Sequence, residues 1–136
     1  MSRFMTKYEP QAYALLRIVA GALYLCHGSQ KVFGFPGEPH AGTPGWILWT
    51  AGPLEIVGGA LIALGLATRW AAFISSGVMA AAYWMAHGHK ALLPISNGGE
   101  LSALYCFVFL FIAARGAGKW SLDGENDHPG AATAPG

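Results

Sequence analysis

The sequence predicts an all-α membrane protein, an antiparallel bundle of four transmembrane helices, and three observations predict it. Of its 136 residues 54% are hydrophobic and only 11% charged, against roughly 25% charged in an ordinary soluble domain, so there is too little charge to cover a globule in water. The apolar residues fall into four runs parted by segments dense in Pro and Gly, and a helix needs about 20 such residues to cross a bilayer. Lys and Arg cluster at alternate junctions between those runs, as they do where junctions alternate between two sides of a membrane. A net charge of +1 without a basic cluster leaves nucleic-acid binding no electrostatic footprint.

Residues 1–10 are a short polar lead with Arg3 and Lys7, and Pro10 suits the first turn of the helix that follows. The first span is expected over 11–33. Its apolar run exceeds the roughly 7–15 residues of a signal-peptide core and no small-x-small site follows, so it reads as uncleaved. Pro36, Pro39 and Pro44 preclude helix in FPGEPHAGTPG. A second span over 46–66 opens with Trp46 and Trp49 at the height of an aromatic belt. Thr68 and Arg69 are expected to form a tight turn, which sets the third span, 70–86, antiparallel to the second. His87, Gly88, His89 and Lys90 end it, and ALLPISNGG reads as an irregular loop.

The fourth run is shorter: Leu101 to Ala114 rises only about 21 Å as a helix, so its span, 98–116, borrows residues at an end and draws in Glu100. These spans make one transmembrane domain over 1–122. Residues 123–136, rich in Gly, Pro, Ala and acid, read as a disordered tail. Four spans put both termini on one side, with Arg3, Lys7, Arg69, Arg115 and Lys119, while Lys31 and Lys90 lie opposite. The positive-inside rule makes the terminal side cytoplasmic. His27, Lys31, His40, His87, His89 and Glu100 then gather at the outer face.

Lipid offers helices no hydrophobic reason to associate, so small residues mark the contact faces: Gly21 and Gly28 on the first span, and Gly52, Gly58, Gly59 and Gly65 on the second. Arg17 and Glu55 come to overlapping heights by rise per residue, with Tyr24 and Tyr105 near Glu55. An Arg17–Glu55 pair, which spares a buried carboxylate from standing alone, is expected either as a polar clamp or as part of a ligand site. His27 and Lys31 share a helix face, near His87 and His89. Imidazoles and carboxylates suit zinc, copper, iron or a haem, but His-x-His in a loop is a weak motif and no metal ligand is assigned. Cys26 and Cys106 lack CxxC spacing and read as small buried hydrophobes of comparable depth.

Three segments, LLRIVAGALYLCHGSQKVFGFPG, LEIVGGALIALGLATRWAA and PISNGGELSALYCFVFLFIAARGAGKWSLD, resemble in that order the DoxX family of small four-helix membrane proteins. The resemblance attaches to Arg17, His27, Lys31, Glu55, Asn97, Glu100 and Asp123. One branch of that family is similar to the membrane subunit of a thiosulfate:quinone oxidoreductase, and other members are associated with oxidative-stress defence or sulfur handling. It implies a multi-pass protein of the bacterial inner membrane that binds a quinone or a similar small amphipath and supports a redox, sulfur or oxidative-stress pathway. Contact with the lipid bilayer, redox partner subunits and a homo-oligomer follow as expectations; whether the chain is itself an enzyme stays open. On this reading His27, Glu55 and Glu100 exchange protons with a quinone oxygen, while Arg17, Tyr24, Lys31, Tyr83, Trp84, Asn97 and Tyr105 bind the ligand. Two alternatives stay open: a non-enzymatic membrane scaffold or small-solute carrier, and a metal- or haem-binding protein using the outer histidines.

Overall fold

Proline and glycine punctuate this chain where its helices begin and end. In the computed structural model, which describes residues 2–124, the elements are α1 (Ser2–Thr6), α2 (Glu9–Phe33), α3 (Gly45–Leu64), α4 (Thr68–Ala86), α5 (Pro94–Asn97) and α6 (Glu100–Arg115). Among the described residues there is no strand. Pro10 lies in the first turn of α2, where its missing N–H costs nothing. Gly65 ends α3 in the left-handed region, φ 69°, and donates its amide N–H to Ile62.

Several boundaries differ from the expected ones. The α3–α4 turn is Gly65–Ala67 and not Thr68–Arg69, which already belong to α4; glycine at φ 69° permits the reversal earlier. The loop ALLPISNGG contains the single turn α5, begun by Pro94. The last long helix has 16 residues and rises about 24 Å. The tail expected over 123–136 lies outside the described residues from 125 onward, and Asp123 within it is firmly held.

Two helices, Glu9–Phe33 and Gly45–Leu64, are long and apolar enough to cross a membrane. The outward faces of all four long helices are apolar: Leu15, Val19 and Leu23 on α2, Val57 on α3, Phe73 and Ile74 on α4, and Leu104 and Phe107 on α6 are exposed. Surface of that extent is covered by lipid or by another protein.

The register of α2 on α3 is set by glycine. A methyl on Gly28 would stand 2.6 Å from the Gly52 carbonyl oxygen, and one on Gly59 would stand 2.5 Å from the Leu25 amide nitrogen. Only hydrogen fits where two backbones meet like this. Because Gly21 faces Gly59 and Ala63 while Gly28 faces Gly52 and Ile56, the two helices run in opposite directions and Glu55 stands level with His27. Helix α4 packs on α6 in the same sense, with Ser76 donating to the Cys106 carbonyl and Arg69 to the carbonyls of Ala113 and Ala114. Tyr24, Ile62, Met79, Phe109 and Ile112 fill the centre.

At the end that carries the α3–α4 turn, polar side chains close the helix termini. The wholly buried Arg17 donates to the carbonyls of Ile62 and Ala63 in the last turn of α3, at 2.7 and 2.8 Å, and to those of Lys119 and Trp120, at 3.0 and 2.7 Å. Arg69 does the same for the last turn of α6. These are carbonyls a helix cannot satisfy internally, and a cation there also meets the negative end of the helix dipole.

Helix α4 has no cap of its own, because Ala67 precedes it with φ 46°. Asp123 supplies one from a distance, accepting from the amides of Ala67 and Thr68 at 2.9 Å each and from the Thr68 hydroxyl at 3.0 Å. Partial burial by itself would raise the Asp123 pKa, but the Thr68 and Ala67 hydrogen bonds and the Arg17 charge outweigh it and hold the carboxyl below its ordinary 3.8. A depressed folded-state pKa means that the contribution is complete above the unfolded value and is lost as pH falls through the folded one. Asp123→Ala should therefore cost about 1 kcal/mol at neutral pH, and its gap from wild type should close in acid. A gap of constant size in detergent unfolding from neutral to strongly acid pH would mean that no ionised cap operates.

Candidate functional site

Helix spacing gathers one set of side chains at the end away from the α3–α4 turn. Tyr24, His27 and Lys31 recur at i, i+3 and i+7 on α2, and Trp46, Thr50 and Leu54 recur at i, i+4 and i+8 on α3, so each set shares a face. Together with Glu55, Met79 and Ala82, with Ser102 and Tyr105 of α6, and with the loop His40–Pro44, they line a cavity of about 680 Å³. Its exposed wall is mostly apolar, and its volume falls in the usual range of small-molecule sites, roughly 300–1,000 Å³.

Inside the cavity the Lys31 ammonium donates to both Glu55 carboxylate oxygens, at 2.7 and 2.5 Å. Glu55 is 1% exposed, whereas the Lys31 side chain is 23% exposed. Burying a carboxyl group this deeply is costly without a partner this close. The expected Arg17–Glu55 pair is thus corrected. With Glu55 level with His27, Arg17 lies ten residues, about 15 Å, further along α2, and its guanidinium is engaged by four carbonyls. The height estimate failed because it hung each helix from a membrane boundary, whereas the glycine contacts fix the register.

Aromatic rings make a continuous wall. Tyr105 stacks on Phe109 with centroids 5.3 Å apart, Tyr24 meets Phe109 edge-on at 4.8 Å, and His27 meets Tyr105 edge-on at 6.0 Å.

Of the expected site residues, Tyr24, His27, Lys31, Glu55 and Tyr105 come together on this cavity, while Arg17, Tyr83, Trp84, Asn97 and Glu100 do not line it. Asn97 locks the α4–α6 connection: its amide donates to the Tyr83 hydroxyl and the Ala91 carbonyl, and its oxygen accepts from Gly99. Trp84 is exposed and touches Tyr83 edge-on. Glu100 is the exposed first residue of α6, turned away from the face that Leu101, Ser102 and Tyr105 present; its expected place beside His27 is corrected on that ground. Trp46, read as an interfacial belt residue, lines the cavity, and Trp49 does not.

Thr50, Met79 and Ser102 also line the cavity and were not foreseen; the i, i+4 spacing of Trp46, Thr50 and Leu54 carried the signal for the first. His40 and His87 line it too, but among the described residues no three of His, Cys, Asp and Glu converge as a metal-ligand set. Cys26 and Cys106 are free thiols; Cys26 is exposed and Cys106 half-buried, so the expectation that both are buried is corrected.

The family model described as DoxX matches residues 12–88. An uncharacterised protein of Haemophilus influenzae is 43% identical over 129 residues, covering 89% of this chain and 95% of that one. A Bacillus subtilis protein named "Putative oxidoreductase CatD" is 26% identical over 113 residues, covering 80% and 82%. No solved structure matches the chain.

Proposed function

The chain belongs to the DoxX family, and from that premise we propose that it is a four-helix antiparallel bundle of the bacterial inner membrane that binds a quinone or a similar small amphipath as part of a redox pathway. The observation that carries the reading is the Lys31–Glu55 pair set in a cavity of about 680 Å³ whose wall includes Tyr24, Trp46 and Tyr105. Leu54, Met85 and Trp46 both line the cavity and reach the outer surface, so a lipid-dissolved molecule meets an apolar rim. Electrons reaching quinone oxygens must be matched by protons, and His27 with the Lys31–Glu55 pair provides groups able to exchange them. The Bacillus relative is named a putative oxidoreductase, which supports a redox role.

Orientation follows from charge. Arg69, Arg115 and Lys119 meet at the end where Arg17 and Asp123 close the helices, and the positive-inside rule makes that end cytoplasmic. The cavity then opens toward the outer leaflet. Redox partner subunits would exchange electrons with the bound quinone.

The test is extraction and mass analysis of what co-purifies from native membranes, together with titration of a short-chain quinone against tryptophan fluorescence, to which Trp46 on the cavity wall contributes. A retained quinone, or saturable quenching that weakens in His27→Ala and Glu55→Gln at unchanged helical content, is the expected result. Neither retention nor quenching would leave the second reading, a non-enzymatic scaffold, which is favoured by the purely structural engagement of Arg17, Asn97 and Asp123.

A further inference from the structure

A cavity recognises its ligand with the polar groups it has left uncommitted, and here those groups are unevenly signed. Two ammonium groups line the cavity, Lys31 and Lys90, against a single carboxylate, Glu55. Glu38 and Glu100, the other carboxylates at that end among the described residues, do not line it. Both oxygens of Glu55 already accept from Lys31, so the one group that can only accept hydrogen bonds is committed. His27, His40 and His87 also line the cavity, and any charge an imidazole adds is positive.

The ammonium groups, by contrast, keep donors in reserve. An ammonium has three N–H donors, and Lys31, whose side chain is 23% exposed, directs two at Glu55 and leaves the third for the cavity. Lys90 lies just past the end of α4, is exposed, and its ammonium has no partner among the described residues. The hydroxyls of Ser102 and Tyr105, which stand i, i+3 on α6 and so on one face, make no hydrogen bond there either, and neither is among the atoms sealed inside the protein without a partner. An occupant can reach both.

We propose that the cavity's occupant carries an anionic head group, a carboxylate, sulfonate, phosphate or acidic ring hydroxyl, which Lys31 and Lys90 bind as charged donors while its apolar body lies against the aromatic wall. This rests on the reading of the cavity as an amphipath site and narrows it, since a neutral molecule would fill the walls and leave both ammonium groups unanswered. Hydrogen bonds with an ionised partner are roughly twice as strong as neutral ones. A cationic head group would meet like charge at Lys90 and be turned away. Such an anion is found both on free amphipathic acids and on acidic phospholipids.

The experiment is calorimetric titration of the full chain in phosphatidylcholine nanodiscs, corrected by empty discs. The probes are lawsone, a naphthoquinone whose acidic ring hydroxyl makes it an anion at neutral pH, its neutral methyl ether, and octanesulfonate, an acid without a quinone ring. Lawsone should bind more tightly than the ether. Lys90→Met should weaken lawsone and octanesulfonate about five-fold, as fits a partly exposed ion pair, and leave the ether unchanged, while Lys90→Arg should keep the wild-type affinities. Equal affinity for lawsone and its ether, or a Lys90→Met variant that binds both acids as wild type does, overturns the proposal and leaves the quinone reading standing. Octanesulfonate that binds and weakens in Lys90→Met, with neither naphthoquinone bound, sustains the anion and sinks the quinone; no binding of any probe overturns both. Acids expelled when phosphatidylglycerol is added to the discs would assign the anion to a phospholipid head group, and acids retained would assign it to a free amphipath.

Discussion

Replacing Arg17 by Met should destabilise the protein by more than about 3 kcal/mol, and should also free the 119–123 segment. Hydrogen bonds to charged groups contribute roughly 1.5–3 kcal/mol each, and Arg17 makes four, to Ile62, Ala63, Lys119 and Trp120. Water reaching the freed carbonyls will recover a part, which is why the expected loss is well below the sum. Arg17→Lys should rescue only partially, since one ammonium cannot reach four carbonyls that a planar fork spans. Unfolding in lipid or detergent gives the stability, and amide exchange at Leu122 and Asp123, whose N–H groups donate to Leu64 and Gly65, reports on the segment. A loss within 1 kcal/mol of zero, with those amides still protected, would mean that the guanidinium is not what holds them.

The second large effect belongs to Lys31 and Glu55. Removing Lys31 should cost about 3–5 kcal/mol, because Glu55 is then a buried carboxyl without its partner, and removing Glu55 should cost less, because the Lys31 side chain is 23% exposed; the Lys31→Met, Glu55→Gln double variant should lose much less than the sum. A cycle between Arg17 and Glu55 should instead be additive, since they share no partner and lie about 15 Å apart along the bundle. Additivity for Lys31 and Glu55, or strong coupling for Arg17 and Glu55, would contradict the pairing described above.

Much of this was legible in the sequence. Apolar runs and Pro–Gly breaks located the four long helices to within a few residues, and the glycines at 21, 28, 52 and 59 announced a close α2–α3 contact. Helical periodicity put Tyr24, His27 and Lys31 on one face. Relative height between helices was not legible, since a shift of a few residues changes no hydropathy pattern yet decides whether Glu55 meets an arginine or a lysine. Asp123 was equally opaque as a cap, because an N-cap is recognised in sequence by adjacency, and this one lies 55 residues from the helix it caps. Glu100 was misplaced for a third reason: sharing a level with His27 says nothing about which way a first-turn side chain faces.

The clasp between Arg17 and the carbonyls of Lys119 and Trp120 also orders events during biosynthesis. The arginine is made and inserted with the first long helix, but two of its four acceptors lie 102 and 103 residues later in the chain. Until the ribosome has delivered them, the nascent protein holds a half-solvated guanidinium against the end of α3, a costly group at a membrane boundary. A chain cut short before Lys119 therefore leaves two of the four Arg17 hydrogen bonds unmade.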